Sequence, residues 1–331
     1  MPKVSILLPA LSPDYVDLCI ASCLAQSFQD FELLISDDSE DERVASVVSK
    51  WSDSRIRYGK NPRRQEMGTN RDRLLRLATG KYVKFLHHDD YLHPRSLELL
   101  VATSESTQAA ISFHGRYLVD VAGRIIAQNM AVPPASVILY GKAEIVAGML
   151  PTRNNFIGEP SNILIDADVF ENIDAAYSVG GRKLRFLEDV ALYINTVMSG
   201  RKLVGCGWYQ SSFRVHPAQN SMPSSAMFSA GLFEWEYLNR WAIDQGLLRP
   251  DHLPQLSGDL RRLYLQYESS YPELTRFASI DPAPEGGRYL TPAFLDAIES
   301  GWREVEHRQV SRRRGEHDAR SRADLSGSSS N

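Results

Sequence analysis

The 331-residue chain predicts an α/β fold: a mainly parallel sheet flanked by helices, with a helical C-terminal extension. Three observations point there. Short apolar runs alternate with stretches of helical periodicity over the first 90 residues. The apolar runs are continuous, as expected of strands buried on both faces. From about Phe228 onward the pattern becomes helical throughout.

Residues 4–8 form an apolar run stopped by Pro9, a first strand. Val16, Cys19, Ile20, Cys23 and Leu24 then recur on one face of a helix, with Ser12 the expected N-cap and Pro13 in its first turn. Residues 31–36 make a second strand ending in Asp37-Asp38-Ser39, and Val44, Val47, Val48 and Trp51 mark a second helix. A short strand at 56–58 and a polar loop with Pro62 and Gly68 lead to a helix bearing Leu74, Leu75 and Ala78, ended by Gly80. The strand at 82–86 runs directly into His87-His88-Asp89-Asp90. Beyond residue 100 the pattern loosens, with strands expected at 109–113 and 163–165 and a helix at 190–198. Trp235, Trp241, Leu260, Tyr264, Phe294 and Trp302 read as core-facing positions of C-terminal helices. Residues 308–331, rich in Arg, Asp, Ser and Gly, are expected to form a disordered tail.

Composition narrows the function. Apolar residues at 43% and charged residues at 24% suffice for a packed core. The 37 Lys and Arg against 41 Asp and Glu leave a formal charge of −4, which argues against non-specific nucleic-acid binding. No apolar run approaches the roughly 18 residues that span a bilayer, and the N-terminus enters a strand without a signal-peptide pattern. Cys19, Cys23 and Cys206 are too few and too scattered for a disulfide framework or a zinc site, so buried free thiols are expected. The reading is a cytoplasmic protein with no transmembrane segment; a homo-oligomer is compatible with it.

Parallel sheets bind ligands beyond the carboxyl ends of their strands, and two of those ends carry paired acids, Asp37-Asp38 and Asp89-Asp90. A carboxylate on such a turn suits a hard divalent cation that shares phosphate oxygens. The plainer alternative is that Asp90 caps the helix starting near Pro94 and Asp89 is solvated; the second acid pair tips the balance toward a ligand. Glu188-Asp189 stands at a helix start, where acids also serve as dipole partners.

The ordered series 4–9, 22–28, 30–39, 78–86 and Asp89-Asp90-Tyr91-Leu92-His93-Pro94 resembles the inverting family 2 glycosyltransferases of the GT-A fold, over about the first two-thirds of the chain. The resemblance implies a GT-A domain at 1–222, with a donor half at about 1–115 and an acceptor half at about 116–222, a helical extension at 223–307 and the tail at 308–331. It implies a UDP- or dTDP-sugar donor whose pyrimidine N–H meets Asp38, with Pro9 part of the wall beside the nucleoside and Arg71 near base and diphosphate. Asp89 matches the last acid of the family's D-x-D element, which holds Mn²⁺ or Mg²⁺ on the diphosphate, with Asp90 adjoining it. Here the chain departs from the pattern: His87 replaces the first acid, which weakens Mg²⁺ binding and favours Mn²⁺.

Glu188-Asp189 resembles the family's E-D motif, which implies Asp189 as general base and Glu188 as its neighbour, roles that the two could exchange. Residues 158–162 look like the loop between donor and acceptor regions, or an ordinary Gly-Pro turn. The segment from Arg214 to His216 resembles an Arg-x-His element, so His216 is a candidate third metal ligand or diphosphate contact, with a core histidine the plainer alternative. The acceptor is a hydroxyl of a glycan, a lipid-linked glycan or a small metabolite, and a lipid-linked acceptor would place the protein peripherally at the inner membrane. Two rival classes are weighed. A nicotinamide dehydrogenase needs a glycine-rich turn after the first strand, which Pro9-Ala10-Leu11-Ser12-Pro13 lacks. A catalytically silent sugar-nucleotide binding protein fits His87 but not the retained Asp189.

Overall fold

The computed structural model describes residues 1–62, 67–217 and 219–327; the side chains of residues 67 and 313–327 lie outside the description. The chain divides into two compact units, Met1–Met149 with Asn154–His216, and Leu150–Arg153 with the chain from Pro217 onward.

The first unit begins with β1 (Val4–Ala10), α1 (Val16–Leu24), β2 (Phe31–Asp37), α2 (Arg43–Val48), β3 (Ile56–Lys60), α3 (Met67–Leu77) and β4 (Tyr82–Phe85). It continues with β5 (Tyr91–Leu92), α4 (Ser96–Thr107), β6 (Ile111–Val119), β7 (Ile125–Asn129), β8 (Val137–Tyr140) and α5 (Lys142–Met149). It closes with β9 (Ile163–Asp166), α6 (Ile173–Ala176), β10 (Ser178–Val179), β11 (Arg182–Lys183), α7 (Glu188–Met198) and β12 (Leu203–Arg214). The main sheet has the order β3-β2-β1-β4-β9-β6-β12-β5, with β7 on β6 and β8 on β12. Strands β3, β2, β1 and β4 are mutually parallel. Strand β9 runs antiparallel to both neighbours, and β12 runs parallel to β6.

The parallel block follows from the sequence order, since each strand–helix–strand passage makes a crossover that returns the chain in the same direction. β2 is buried along its whole length and β1 at all but Pro9, because helices cover both faces. Val4, Ile6 and Leu8 of β1 pack with Val16, Cys19, Ile20 and Cys23 of α1, each side chain contributing about 1.5–3 kcal/mol by leaving water. Gly80 is required before β4: a Cβ there would lie 2.6 Å from the Ser5 amide nitrogen. The three cysteines are buried free thiols, as expected.

Several elements differ from expectation. α1 starts at Val16, after Tyr15 takes a left-handed conformation (φ 66°), and the Ser12 hydroxyl donates to the Asp14 carboxylate at 2.8 Å rather than capping the helix. Strand β12, the longest of the sheet, was not expected. Gly205 and Gly207 interrupt its apolar pattern, and its register shifts between Cys206 and Tyr209. The β6–β7 hairpin and β8 were missed as well.

The second unit is helical: α8 (Phe228–Asp244), α9 (Leu253–Tyr267), α10 (Leu274–Ala278) and α11 (Pro292–Gly327). Phe233 stacks on Phe277 at 5.0 Å and meets Trp302 edge-on at 5.6 Å. Trp241 and Trp302 are buried and Trp235 is half-buried, consistent with core-facing aromatics. α11 continues as helix to Gly327, through residues expected to form a disordered tail; residues 328–331 lie outside the description. Arg308 ties the start of that segment to Glu273 at 2.8 Å and to Ser229 at 2.9 Å. The sparse apolar content of the tail bears on burial, whereas its Arg, Glu and Ala favour helical backbone. No helix among the described residues is long and apolar enough to cross a membrane.

Candidate active site

The site residues lie in the first unit, where β1, β2 and β4 end side by side. Pro9 is half-buried on β1, in register with Ser36 of β2. At the end of β2 the two acids separate in role. Asp37 is fully buried, accepting the Ser39 N–H at 2.8 Å and the Tyr58 hydroxyl at 2.7 Å, and so holds the turn. Asp38 accepts from the Asn61 amide at 2.9 Å, and the same nitrogen donates to Asn70 Oδ1 at 3.1 Å. A carboxylate offers about four acceptor positions, so Asp38 retains capacity for a further donor.

The turn after β4 gathers His87, Asp89 and Asp90, whose ligand atoms all lie within 4.8 Å of one another. His216, at the end of β12, reaches the same turn, its Nε2 lying 2.8 Å from Asp89 Oδ2. Residues 87 and 216, far apart in sequence, thus meet at one carboxylate. The two acids differ electrostatically. Burial would raise the pKa of Asp89, but His88, His87 and the hydrogen bond from His216 outweigh it and hold the carboxyl below its usual range. Burial and the adjacent Asp89 charge push Asp90 well above the carboxylate range. Asp90 accepts the Arg214 N–H at 3.0 Å, so it braces the turn from inside. It does not cap the next helix, whose N-cap is Arg95.

This donor set fits a divalent cation: the Asp89 carboxylate, held below its usual range, with the His87 imidazole in the same cluster and His216 bonded to Asp89 at 2.8 Å. Burial disfavours the charged form of Asp90, which makes Asp89 the better-suited anionic ligand. The Arg214 guanidinium donates to the carbonyls of Asp89 (3.0 Å), Asp120 (3.0 Å) and Val121 (3.2 Å) and lies 4.0 Å above the Tyr15 ring, which makes it a clamp on the turn.

Arg71 of α3 was expected beside base and diphosphate. Its guanidinium engages Glu188 at 2.5 Å and Asp72 at 2.7 Å and lies 3.6 Å from the centroid of the Tyr177 ring. The structure therefore joins α3 to the start of α7. Burial raises the Glu188 pKa, with Arg71 opposing. Part of Asp189 reaches the surface, but its carboxyl is enclosed, and burial together with the Glu159 and Glu188 charges pushes its pKa up to about 7. Asn155 donates to Asp189 Oδ2 at 2.6 Å, and the Val190 N–H donates to Oδ1 at 2.8 Å. Glu159 acts electrostatically on both Asp90 and Asp189, which places the two turns in one electrostatic neighbourhood. Glu159 is itself held by Arg116 at 2.5 Å.

Asn61, Asn155 and Tyr177 were not expected at the site. Each comes from an element with no motif of its own, and isolated amides and a lone aromatic carry no spacing signal. His93 stacks between Tyr91 (5.9 Å) and Tyr117 (5.5 Å).

The family model described as "Glycosyl transferase family 2" matches residues 5–174. A protein of Escherichia coli named UDP-Glc:alpha-D-GlcNAc-diphosphoundecaprenol beta-1,3-glucosyltransferase WfaP is 27% identical over 217 residues, 65% of this chain and 78% of its own length. A Campylobacter jejuni protein named GalNAc(5)-diNAcBac-PP-undecaprenol beta-1,3-glucosyltransferase is 30% identical over 129 residues, 38% of this chain and 41% of its own length. The chain thus spans most of the first relative and under half of the second. Among solved structures, S. aureus TarS 1–349 in complex with UDP-GlcNAc superposes with a TM-score of 0.53 at 13% identity, covering 93% of this chain and 92% of that one. That likeness establishes the fold, a mostly parallel sheet flanked by helices of the GT-A kind. The matched motifs, the relatives and the fold lead to one conclusion: the chain belongs to glycosyl transferase family 2 and is a glycosyltransferase.

Proposed function

We propose that the chain moves a sugar from a UDP- or dTDP-sugar to a hydroxyl of a lipid-linked glycan, with inversion at the anomeric carbon and Asp189 as general base. The observation that carries this reading is the Asp189 carboxylate at the start of α7, oriented by Asn155 and the Val190 N–H, with desolvation raising its pKa to about 7. A base titrating near the working pH combines ionisation with proton affinity.

Asp38, beside Asn61, accepts the pyrimidine N–H, and Pro9 walls the nucleoside. UDP is favoured because the E. coli relative is named for UDP-Glc and the TarS neighbour for UDP-GlcNAc. Asp89 and His87 would hold Mn²⁺, or less readily Mg²⁺, with His216 bracing Asp89; the imidazole at the first motif position favours the softer ion. Such a cation supplies charge neutralisation at the diphosphate. Asp189 takes the proton of the acceptor hydroxyl as its oxygen forms a bond to the anomeric carbon. The bond from that carbon to the diphosphate breaks, and its electron pair leaves with the nucleoside diphosphate. Attack from the face opposite the leaving group inverts the configuration, so an α-linked donor yields a β-linked product. Arg71 serves the base side, fixing Glu188 and offsetting its charge. A lipid-linked acceptor is supported by the names of both relatives, each of which includes a polyprenol diphosphate sugar, and puts the reaction at a membrane face.

The test is a transfer assay with UDP-glucose, UDP-GlcNAc and dTDP-glucose, with Mn²⁺ or Mg²⁺, on GlcNAc-diphospholipid and free sugar acceptors, with product anomers read by proton NMR. A β-linked product from an α-linked donor, lost in Asp189→Asn while UDP binding persists, supports the reading. A retained anomeric configuration overturns inversion. His87 at the first acid position favours one second reading, a silent sugar-nucleotide binder, and tight UDP binding without transfer to any acceptor would select it.

A further inference from the structure

Lys84 lies on β4 in register with Ile6 of β1 and is completely buried. Carrying an ammonium into such a position costs several kcal/mol, and no ion pair to Lys84 forms among the described residues. Its side chain instead donates one hydrogen bond, at 2.5 Å, to the carbonyl oxygen of Ser161. Ser161 is buried too, and its hydroxyl accepts the His87 N–H at 3.1 Å. Lys84 therefore holds a residue that in turn holds the start of the turn His87–Asp90.

The same loop serves the base. Gly158, three residues before Ser161, exchanges two 3.0 Å hydrogen bonds with Asn155 and accepts from the Tyr193 hydroxyl at 2.9 Å. Asn155 is the residue that holds Asp189. Asn162 anchors the loop's other end, donating to the carbonyls of His114 and Ile157 at 2.8 Å each. Residues 155–162 thus form a bridge with the base-orienting amide at one end and the candidate cation turn at the other, and Lys84 pins it in between.

We propose that Lys84 is a positioning residue, which sets the His87–Asp90 turn through Ser161 and keeps it in register with the loop that orients Asp189. An apolar side chain at this strand position would fill the space but release the Ser161 carbonyl. The inference rests on the reading of His87 and Asp89 as cation ligands. Partners that orient ligands from outside the coordination shell typically govern metal affinity by 10–100-fold.

The experiment titrates Mn²⁺ into the full chain without donor or acceptor and reads the free ion by electron paramagnetic resonance, for wild type, Lys84→Met, Ser161→Ala and the double variant, with melting temperatures alongside. The expected result is at least a tenfold loss of Mn²⁺ affinity in each single variant. The double variant should be no more than about twofold weaker than the poorer single, because both act through one residue. A folded Lys84→Met with wild-type Mn²⁺ affinity and a lower melting temperature overturns the proposal, since Lys84 would then serve stability alone. If Lys84→Met does not fold, Ser161→Ala decides by itself, unchanged affinity again overturning the proposal. A wild type that binds no Mn²⁺ removes the cation reading, and this inference with it; binding that Lys84→Met leaves intact removes the inference only.

Discussion

Replacing Asp189 by Asn should abolish most transfer and at the same time stabilise the protein above neutral pH. Burial, aided by the Glu159 and Glu188 charges, moves the carboxyl from 3.8 to about 7, a displacement on the order of 4 kcal/mol at about 1.4 kcal/mol per pKa unit. The sign follows from proton binding. Between those two values the folded state holds a proton that the unfolded state has released, so stability falls as pH rises from about 4 to about 7 and is then level. An amide in the same place has no such penalty. The melting temperature of Asp189→Asn should match wild type near pH 3, exceed it increasingly through pH 4–7, and stay above it beyond; on the order of 4 kcal/mol is the upper bound, since the amide forfeits one acceptor toward Asn155 or Val190. Transfer should meanwhile drop by roughly 10²–10⁴, the usual contribution of a general base. Wild-type activity should rise about tenfold from pH 6 to pH 8 as the carboxylate ionises. The assays are thermal melts across pH and nucleoside diphosphate release. A melting-temperature difference independent of pH, or a variant retaining more than about a tenth of the wild-type rate, would refute both the ionisation state and the role assigned to Asp189.

Other expectations follow the same geometry. Glu159→Gln removes a negative charge that acts on Asp189 and leaves Arg116 unpaired nearby, both of which favour the carboxylate, so the acid limb of the pH–rate profile should move to lower pH. Asp89→Ala takes the ionised acid out of the His87 cluster and should abolish the Mn²⁺-dependent part of UDP binding in calorimetry. Exchanging His87 for Asp restores a hard oxygen ligand and should shift the preference toward Mg²⁺ in the same titration. Gly80→Ala would press a Cβ to 2.6 Å from the Ser5 nitrogen and 2.8 Å from the Val4 carbonyl carbon; backbone that cannot yield should cost about 1–3 kcal/mol in denaturant unfolding.

Much of the architecture was legible because it is local. The parallel block from β1 to β4 follows from apolar runs separated by helical periodicity, and Asp38, His87, Asp89 and Asp189 could be singled out because each ends or begins an element within a recognisable motif. β12 was not legible: its glycines, Gly205 and Gly207, beside the exposed Trp208 resemble a turn-rich segment until β6 and β8 pair with it. Arg71 was legible as a site residue but not in its partners, because spacing along α3 says nothing of the α7 carboxylate that it meets.

The sequence by itself determined the order of the first four strands and the helices between them, the family and the acids that stand at strand ends, since periodicity and short-range motifs are properties of neighbouring residues. Only the tertiary structure decided what surrounds each acid: Asp89 beside three imidazoles, Asp90 buried against the Arg214 N–H, Asp189 held by Asn155. Ionisation depends on burial and on charges brought in from distant strands, and those distances exist only once the chain has closed on itself.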